Sequence, residues 1–180
     1  MLKSDRLVLT LHTDKNLDRL HRWRCDREIV ELSSDRPFTT TKEETRKTLE
    51  RWMITEREEQ MHFAIHLVET GEFIGFSHIA FIDNYSKTCR IGIVIGEKQY
   101  WNRGLGTAAM RMMADFCFTD LGLNRITCEV YETNPRAWHM LESVGFKREG
   151  VLRENVLKEE RFINEFVYGL LRHDYEKEKV

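Results

Sequence analysis

The sequence predicts one domain of the mixed α/β (α+β) class, built on a single twisted, mostly antiparallel sheet of about seven strands with helices on both faces. The chain of 180 residues has the length of one domain, and no Pro- or Ser-rich linker divides residues 1–180. In the middle of the chain, segments of alternating polarity and short turns follow one another, as in a β-meander. Strand and helix patterns then alternate, which makes the sheet a mixed one.

Composition and charge exclude several functional classes. The charged share of 32% and the apolar share of 41% are those of a globular protein. The formal net charge is −2 and the Lys and Arg residues are scattered, whereas a nucleic-acid-binding domain concentrates them on one face. The N-terminus has no apolar signal core, and no apolar run approaches the roughly 20 residues of a membrane helix. We therefore expect a cytoplasmic protein with no nucleic-acid or membrane partner.

The cysteines do not have the spacing of a metal site. Cys25, Cys89, Cys117 and Cys128 form no CxxC pair, and no Cys/His cluster has zinc-finger spacing. We expect buried, reduced thiols and no bound metal.

Three helices are predicted in the first third of the chain. Asp14 is placed to cap the first helix, which carries an apolar stripe over residues 17–23. A second, short helix is predicted over Glu28 to Leu32. Thr41 and Glu44 have the spacing of a capping box, which opens a third helix that ends near residue 52.

Seven segments have the composition and periodicity of strands. They are Arg6 to Leu11, His62 to Val68, Phe73 to Phe81, Arg90 to Ile95, Ile126 to Val130, Phe146 to Leu152 and Phe162 to Leu171. Turns are predicted at Glu69 to Glu72 and at Asn84 to Lys87. The fourth strand is nearly all apolar from Ile91 to Ile95, which fits a strand buried on both faces.

The first candidate site is the segment from Trp101 to Thr107, which lies between that fourth strand and a helix. Gly104 and Gly106 permit a sharp turn and close backbone approach to a ligand. The free N–H groups and the positive dipole end of the helix suit an anion such as a pyrophosphate, and Arg103 adds charge. A plain glycine-rich loop explains the same pattern.

Two other phosphate-binding motifs are alternatives for this segment. A Walker A loop is absent from the sequence. Gly104, Gly106 and Ala109 match the dinucleotide-binding fingerprint, with Glu129 about twenty residues further on. That fingerprint requires the strand to run almost directly into the first glycine, whereas the polar stretch Glu97 to Arg103 intervenes here. An oxidoreductase is therefore the less favoured alternative.

The second candidate is the helix start at Asn134-Pro135. Asparagine is a good N-cap and proline is favoured at the first helical position, so a well-made helix start explains both residues. A second helix N-terminus one strand along the sheet also suits a long ligand with a phosphate head and an amide-bearing arm.

Taken in order, these segments resemble the GNAT superfamily of N-acetyltransferases, and in particular the branch that acetylates ribosomal-protein N-termini. The resemblance covers nearly the whole chain. It is carried by Ile91 to Gly96, Arg103 to Thr107, Glu129-Val130, Asn134, Leu141 to Gly150, Val151 to Glu154 and Tyr168 to Leu171, together with Arg6 to Leu9 and Trp23-Arg24.

The resemblance implies that acetyl-CoA is the cosubstrate and lies in an opening between the fourth and fifth strands. The pantetheine arm would pair with the strand backbone at Ile93, Val94 and Ile95, and Asn134 would contact the same arm. The pyrophosphate would be held by the loop residues Trp101, Asn102, Arg103, Gly104, Leu105, Gly106 and Thr107. Trp101 stands where the family often has Gln or Arg. Gly92 and Gly96 are unusual in a buried strand and indicate a bulge or close backbone approach.

Acetyl transfer requires a proton acceptor for the amine and a proton or positive charge for the leaving thiol. Glu129 is the candidate base, although a salt-bridged strand glutamate is the simpler interpretation. Leu141 occupies the position of the tyrosine that serves as general acid in many relatives, so Tyr131 or Ser143 would have to replace it. Arg90 stands where many members of the branch carry a glutamate, which argues against a carboxylate base on that side.

The resemblance implies an acceptor with a primary amine: a peptide N-terminus, a polyamine or an amino sugar. Candidate contributors to the acceptor site are Trp23, Phe38, Asn84, Tyr85 and Glu165, although core packing explains the aromatic ones better. The histidines are scattered and are expected to be ordinary surface or packed residues. A homodimer is expected by resemblance alone. A non-catalytic CoA-binding sensor or interaction module is the rival hypothesis.

Overall fold

The computed structural model describes residues 1–33, 40–54 and 59–177. The strands in these ranges are β1 (Leu2–Lys3), β2 (Leu7–Thr10), β3 (Met61–Leu67), β4 (Phe73–Asp83), β5 (Thr88–Ile95), β6 (Arg125–Tyr131), β7 (Lys147–Lys158) and β8 (Arg161–Leu171). The helices are α1 (Leu17–Arg24), α2 (Arg27–Ser33), α3 (Lys42–Ile54), α4 (Leu105–Asp115), α5 (Pro135–Val144) and α6 (Arg172–Lys177).

One open sheet contains all of these strands in the order β1-β2-β3-β4-β5-β6-β8-β7. Every neighbouring pair in the described residues is antiparallel except β5 and β6, which confirms the predicted mixed, mostly antiparallel sheet. The short β1, of two residues, is the strand that sequence periodicity could not detect. Among the described residues, no helix combines the length and the apolar content needed to cross a membrane.

Local signals set most helix boundaries correctly. The capping box is confirmed, because Thr41 N donates to Glu44 Oε2 at 2.7 Å and Glu44 N donates to Thr41 Oγ1 at 3.1 Å. The prediction that Asp14 caps the first helix is wrong. Asp14 is the first residue of a 3₁₀ turn that precedes α1, and the Asn16 side chain accepts from Thr13 N at 2.8 Å. The helix α4 also continues as a π-helical turn that no sequence signal predicted.

Buried side chains form a core on each face of the sheet, as expected for helices on both faces. One core lies between the sheet and α4, α5 and α6, and includes Leu7, Ile79, Ile91, Met113 and Ile126. The other lies between the sheet and α1 to α3, and includes Leu20, Trp23, Leu49, Ala64 and Phe73. The central strands β5 and β6 therefore lie between two packed layers.

Aromatic side chains of the protein itself pack against Gly92 in β5 and against Gly96, which follows β5. A Cβ on Gly92 would lie 2.4 Å from Cε1 of His78, and a Cβ on Gly96 would lie 2.1 Å from Cδ2 of Trp23. The β4–β5 register shows no bulge between Arg90 and Ile95. The interpretation as a bulge is therefore wrong for Gly92. At Gly96 it is supported, because Gly96 N and Glu97 N both donate to the Ile74 carbonyl, at 2.9 and 3.2 Å, so that two residues oppose one. The close approach that the two glycines permit is that of His78 and Trp23.

Two histidines beside α3, the buried His12 and the half-buried His62, are held in their neutral form. His12 is only 4% exposed and contacts Trp52, and its ring nitrogens have no hydrogen-bond partner within the described part of the chain. His62 also stacks on Trp52, with ring centroids 4.9 Å apart. Burial lowers the pKa of His12 and of His62 from 6.5 to about 4.

The free energy of unfolding should therefore decrease as the pH falls from 6.5 towards about 4. In that window the unfolded chain binds protons that the folded chain excludes. The variant His12→Phe should lose less stability over the same window, by an amount on the order of a few kcal/mol. Urea unfolding at several pH values measures this, and the difference between the two proteins should be constant at alkaline pH. Parallel curves across the acid range would contradict it.

Candidate active site

A cleft opens where the parallel strands β5 and β6 part. Their ladder contains three residue pairs, and the last is Arg90 with Thr127. Beyond it, β5 stays paired with β4 as far as Ile95, and β6 stays paired with β8 as far as Tyr131. The resemblance predicted an opening between the fourth and fifth strands. These strands are β5 and β6 in the structure, because the short β1 precedes the first predicted strand.

The edge of β5 presents backbone groups to this cleft. Gly96 N donates to Ile74 O of β4 at 2.9 Å. Because hydrogen-bonding direction alternates along an antiparallel pair, Val94 also faces β4, whereas Ile93 and Ile95 face the cleft. The Ile95 carbonyl accepts from the indole Nε1 of Trp101 at 2.7 Å. The peptide groups of Ile93 and the N–H of Ile95 are therefore the ones placed to pair with an amide-bearing ligand.

This half of β5 is not buried on both faces, contrary to the prediction from its apolar run. Cys89 and Ile91 are buried, but Ile93, Val94 and Ile95 are only partly buried. The reason is that β6 no longer covers one edge of the strand there. An apolar run in sequence does not distinguish a central strand from a strand that lines a cleft.

The loop before α4 has the backbone geometry of an anion site. Asn102 has φ 58° and Gly104 has φ 72°, both left-handed. The first helical hydrogen bond runs from Ala108 N to Gly104 O at 3.0 Å, so the N–H groups of residues 105–107 precede the first intrahelical donor. A Cβ on Gly106 would have only Ile95 Cγ1 near it, at 4.0 Å, which leaves space beside the helix start.

Arginines surround this helix start. The Arg103 guanidinium lies 5.6 Å from the centroid of the Tyr100 ring, and the Arg136 guanidinium lies 4.2 Å from that of Trp101. Arg6 donates to the Arg103 carbonyl at 3.0 Å and so holds the loop from the start of the sheet. Sequence reasoning did not identify Arg6 or Arg136 as site residues, because both are distant from the glycine loop in the chain.

Asn134 lies at the start of α5, on the β6 side of the cleft. Its Oδ1 accepts from Ala137 N at 3.1 Å, which confirms the N-cap, and its Nδ2 donates to Leu32 O at 3.0 Å. The side chain thus joins α5 to the end of α2. A contact of Asn134 with the pantetheine arm remains a prediction.

Glu129 is both exposed to the cleft and salt-bridged. Its Oε1 lies 2.8 Å from Arg90 Nη2, and the two side chains are 24% and 40% exposed. Continuing the β5–β6 register by two residues places Glu129 opposite Gly92, just beyond the point where the strands part. The structure therefore brings together the predicted base and an arginine that the sequence marked only as a departure from the family.

The candidate acids have different positions. Tyr131 follows Glu129 on the same face of β6, where it is 8% exposed and has Lys158 Nζ 4.4 Å from its ring centroid. Ser143 lies in the last turn of α5, about 13 Å along the helix from its start, and donates to Met140 O at 2.7 Å. The structure does not bring Ser143 to the cleft. Leu141 is 1% exposed and belongs to the core.

The candidate acceptor residues are dispersed. Trp23 is 2% exposed and packs on Phe73 in the core. Asn84 and Tyr85 are exposed in the turn between β4 and β5, and Glu165 accepts from Asn155 Nδ2 at 2.8 Å. Phe38 lies outside the described residues.

A family model describing the acetyltransferase (GNAT) domain matches residues 6–147. The chain belongs to the GNAT acetyltransferase family. Acetyl-CoA is the cosubstrate of this family, and the chain is an acetyl-CoA-dependent N-acetyltransferase. The dinucleotide-binding alternative is excluded, because the glycines belong to a GNAT loop beside the only parallel strand pair in the described sheet.

Similar proteins align with this GNAT protein over between about half and nearly all of its length. The uncharacterized N-acetyltransferase p20 of Bacillus licheniformis is 29% identical over 97% of both chains. The spermidine N(1)-acetyltransferase of Escherichia coli is 27% identical over 58% of this chain and 56% of that protein. The crystal structure of a Vibrio cholerae spermidine N-acetyltransferase with CoA and spermine has a TM-score of 0.85 at 20% identity, over 96% of this chain and 99% of that one. This last similarity shows the fold.

The left-handed residue before α4 provides a test of the anion site. Gly104→Ala should raise the Kd for CoA about 5- to 30-fold, because a left-handed alanine costs about 1–2 kcal/mol and the loop can avoid that only by turning its N–H groups. Calorimetry with CoA measures the effect.

Gly122→Ala is the matched control, because Gly122 has φ 64° but follows the end of the α4 segment. It should lose similar stability and keep the wild-type Kd. Equal Kd values for the two variants would contradict the assignment of the loop.

Proposed function

We propose that residues 1–180 form one acetyltransferase domain that transfers the acetyl group of acetyl-CoA to a primary amine by direct attack in a ternary complex. The observation that carries this proposal is the parting of β5 and β6 beside the N-terminus of α4. The cleft offers backbone partners for an amide-bearing arm and a helix start for a pyrophosphate within one continuous surface.

The binding role of each wall follows from this geometry. The N–H groups of Leu105, Gly106 and Thr107 receive the pyrophosphate, with Arg103 as neighbouring charge. The Ile93 carbonyl and the Ile95 N–H pair with the pantetheine arm, and Asn134 lies beside the arm on the β6 side. The Ile93 N–H is also the strand donor best placed to stabilise an oxyanion on the thioester carbonyl.

Buried cysteines support direct attack over a covalent acetyl-cysteine. Cys89 and Cys117 are buried with their sulfur atoms 3.7 Å apart. Cys128 lies on β6 beside the cleft, but it is 6% exposed and burial raises its pKa to about 12. Burial therefore keeps Cys89 and Cys117 from contact with a ligand, and a Cys128 thiolate is not available at neutral pH.

Glu129 is the proposed proton acceptor. A primary amine such as a lysine side chain has a pKa of about 10.4, so it arrives as a cation and must lose a proton before it attacks. The Glu129 carboxylate attracts that cation and accepts its proton, directly or through a water molecule. Of the two candidate donors to the leaving thiol, Tyr131 shares the Glu129 face and Ser143 does not, so Tyr131 alone stays a candidate.

The acceptor is a peptide N-terminus, a polyamine or an amino sugar. The names of the spermidine acetyltransferase relatives make polyamines the first members of a test panel. We also propose a homodimer, which is supported by apolar side chains exposed on the β7–β8 hairpin at the sheet edge. They are Val151, Leu152, Leu157 and Phe162.

An acceptor panel tests the proposed reaction. The protein is incubated with acetyl-CoA and, in separate reactions, spermidine, an amino sugar and short peptides with free N-termini, and thiol release is followed. At least one amine should accelerate thiol release above the rate with acetyl-CoA alone. Binding of CoA without acceleration by any amine would instead support the non-catalytic sensor or interaction module.

Glu129→Gln tests the base. The substitution should lower kcat about 100-fold and shift the pH profile of kcat/KM upward, because the amine must then lose its proton to bulk water. Glu149→Gln is the matched control, since Glu149 is a strand glutamate that is paired with Arg125 away from the cleft. The control should keep the wild-type pH profile. Unchanged kinetics in Glu129→Gln would remove the assignment.

A further inference from the structure

Arg90 occupies the vertex of the cleft. It is the last residue of β5 that pairs with β6, and its partner there is Thr127, whose hydroxyl donates to the Cys89 carbonyl at 3.1 Å. The Arg90 side chain is 40% exposed, although the strand that carries it lies in the centre of the sheet. A guanidinium at this place is a fixed positive charge beside the reacting atoms of any ligand in the cleft.

A strained backbone residue on β4 holds this guanidinium. The β4–β5 register shifts between Ala80 and Asp83, directly after Ala80 pairs with Arg90. Within this bulge Phe81 has φ 51°, an unfavourable conformation for a bulky residue. The result is that the Phe81 ring, itself 71% exposed, lies 4.9 Å from the Arg90 guanidinium carbon.

Of the titratable groups around Arg90, Glu129 is the one that forms an ion pair with it. His78 of β4 lies near it, and burial, together with the Arg90 charge, lowers the pKa of His78, so this imidazole is neutral at pH 7. Burial likewise keeps the Cys128 thiol neutral. From β8, Glu165 contributes a carboxylate that is engaged by Asn155.

We infer that Arg90 is a catalytic residue that stabilises the negative charge on the leaving sulfur of acetyl-CoA. This inference rests on the proposed acetyl transfer. Arg90 would stabilise the leaving thiolate, which Leu141 cannot do because it is an apolar side chain buried in the core. The salt bridge between Arg90 and Glu129 determines when the Arg90 charge becomes available to the sulfur. While Glu129 is ionised it neutralises Arg90, and when Glu129 has accepted the proton of the amine, the Arg90 charge is free for the sulfur.

The step balances as follows. The ammonium group gives one proton to Glu129, and its nitrogen then forms a bond to the thioester carbonyl carbon. The carbon–sulfur bond breaks, and its electron pair leaves on the sulfur beside Arg90. The sulfur takes a second proton that leaves the same nitrogen, either directly or through the Tyr131 hydroxyl, which gives one proton to the sulfur and takes one from the nitrogen. The products are the amide and the free thiol, and Glu129 returns its proton to water.

Steady-state kinetics of the full chain test this role with acetyl-CoA and the most active amine of the panel. Arg90→Gln should lower kcat about 100-fold, as the loss of a transition-state donor does, with little change in the KM for acetyl-CoA. Arg90→Lys keeps the charge and should recover kcat to within about tenfold of the wild type.

Arg125→Gln is the matched control, because Arg125 lies on the same face of β6 as Glu129 and forms a strand ion pair with Glu149. It should change thermal stability without changing kcat.

A double-mutant cycle separates catalysis from positioning of Glu129. If Arg90 acts on the sulfur, Arg90→Gln should lower kcat further in the Glu129→Gln background, and this double variant leaves no unpaired charge to impair folding. If the double variant equals Glu129→Gln alone, Arg90 only positions Glu129 and the inference is wrong. An unchanged kcat in Arg90→Gln, or no rescue by lysine, would also overturn it. These outcomes leave the proposed function standing, whereas wild-type protein that releases no thiol with any amine ends both.

Discussion

The parting of β5 and β6 beyond Arg90 and Thr127 is the constraint on which the site depends. Each strand keeps its other neighbour, so the opening removes ladder hydrogen bonds on one side only. Backbone N–H and C=O groups at such an edge require a partner, which an amide-bearing ligand can provide. The interruption in the sheet is therefore also the surface at which we propose that acetyl-CoA binds.

The same opening places two helix starts at one end of the sheet. The loop before α4 follows β5, and Asn134 before α5 follows β6, so both N-termini lie beside the cleft. The core under α4 to α6 fixes one face, and α1 to α3 cover the other. The proposed anion site and the proposed site of amine chemistry thus share one cleft, which packed helices support on both faces of the sheet.

An ion pair between Arg90 and Glu129 lies at the point where β5 and β6 part. Glu129 and Arg90 are distant in the chain and lie on different strands, yet their side chains meet at 2.8 Å. In the proposed reaction this ion pair is neutral overall at the start and separates when Glu129 takes a proton. The bulge at Phe81 shows that the backbone accepts an unfavourable conformation at this place, which is common beside functional sites.

The amino-acid sequence by itself determined the local features. Polarity patterns identified the long strands and helices, the capping box of Thr41 and Glu44 was correct, and Gly104 was identified as the turn residue before α4. These depend on neighbours within a few residues, which is the range over which turn and capping chemistry acts. The two-residue β1 and the terminal α6 were too short for periodicity to detect.

Only the tertiary structure decided which of the candidate residues share a site. Strand register brought Arg90 to Glu129 and placed His78 against Gly92, whereas the packing of α5 kept Ser143 away from the cleft. Arg6, near the start of the chain, donates a hydrogen bond to the Arg103 carbonyl in the glycine loop. Register and packing depend on contacts between distant segments, so spacing along the chain could not reveal these pairs.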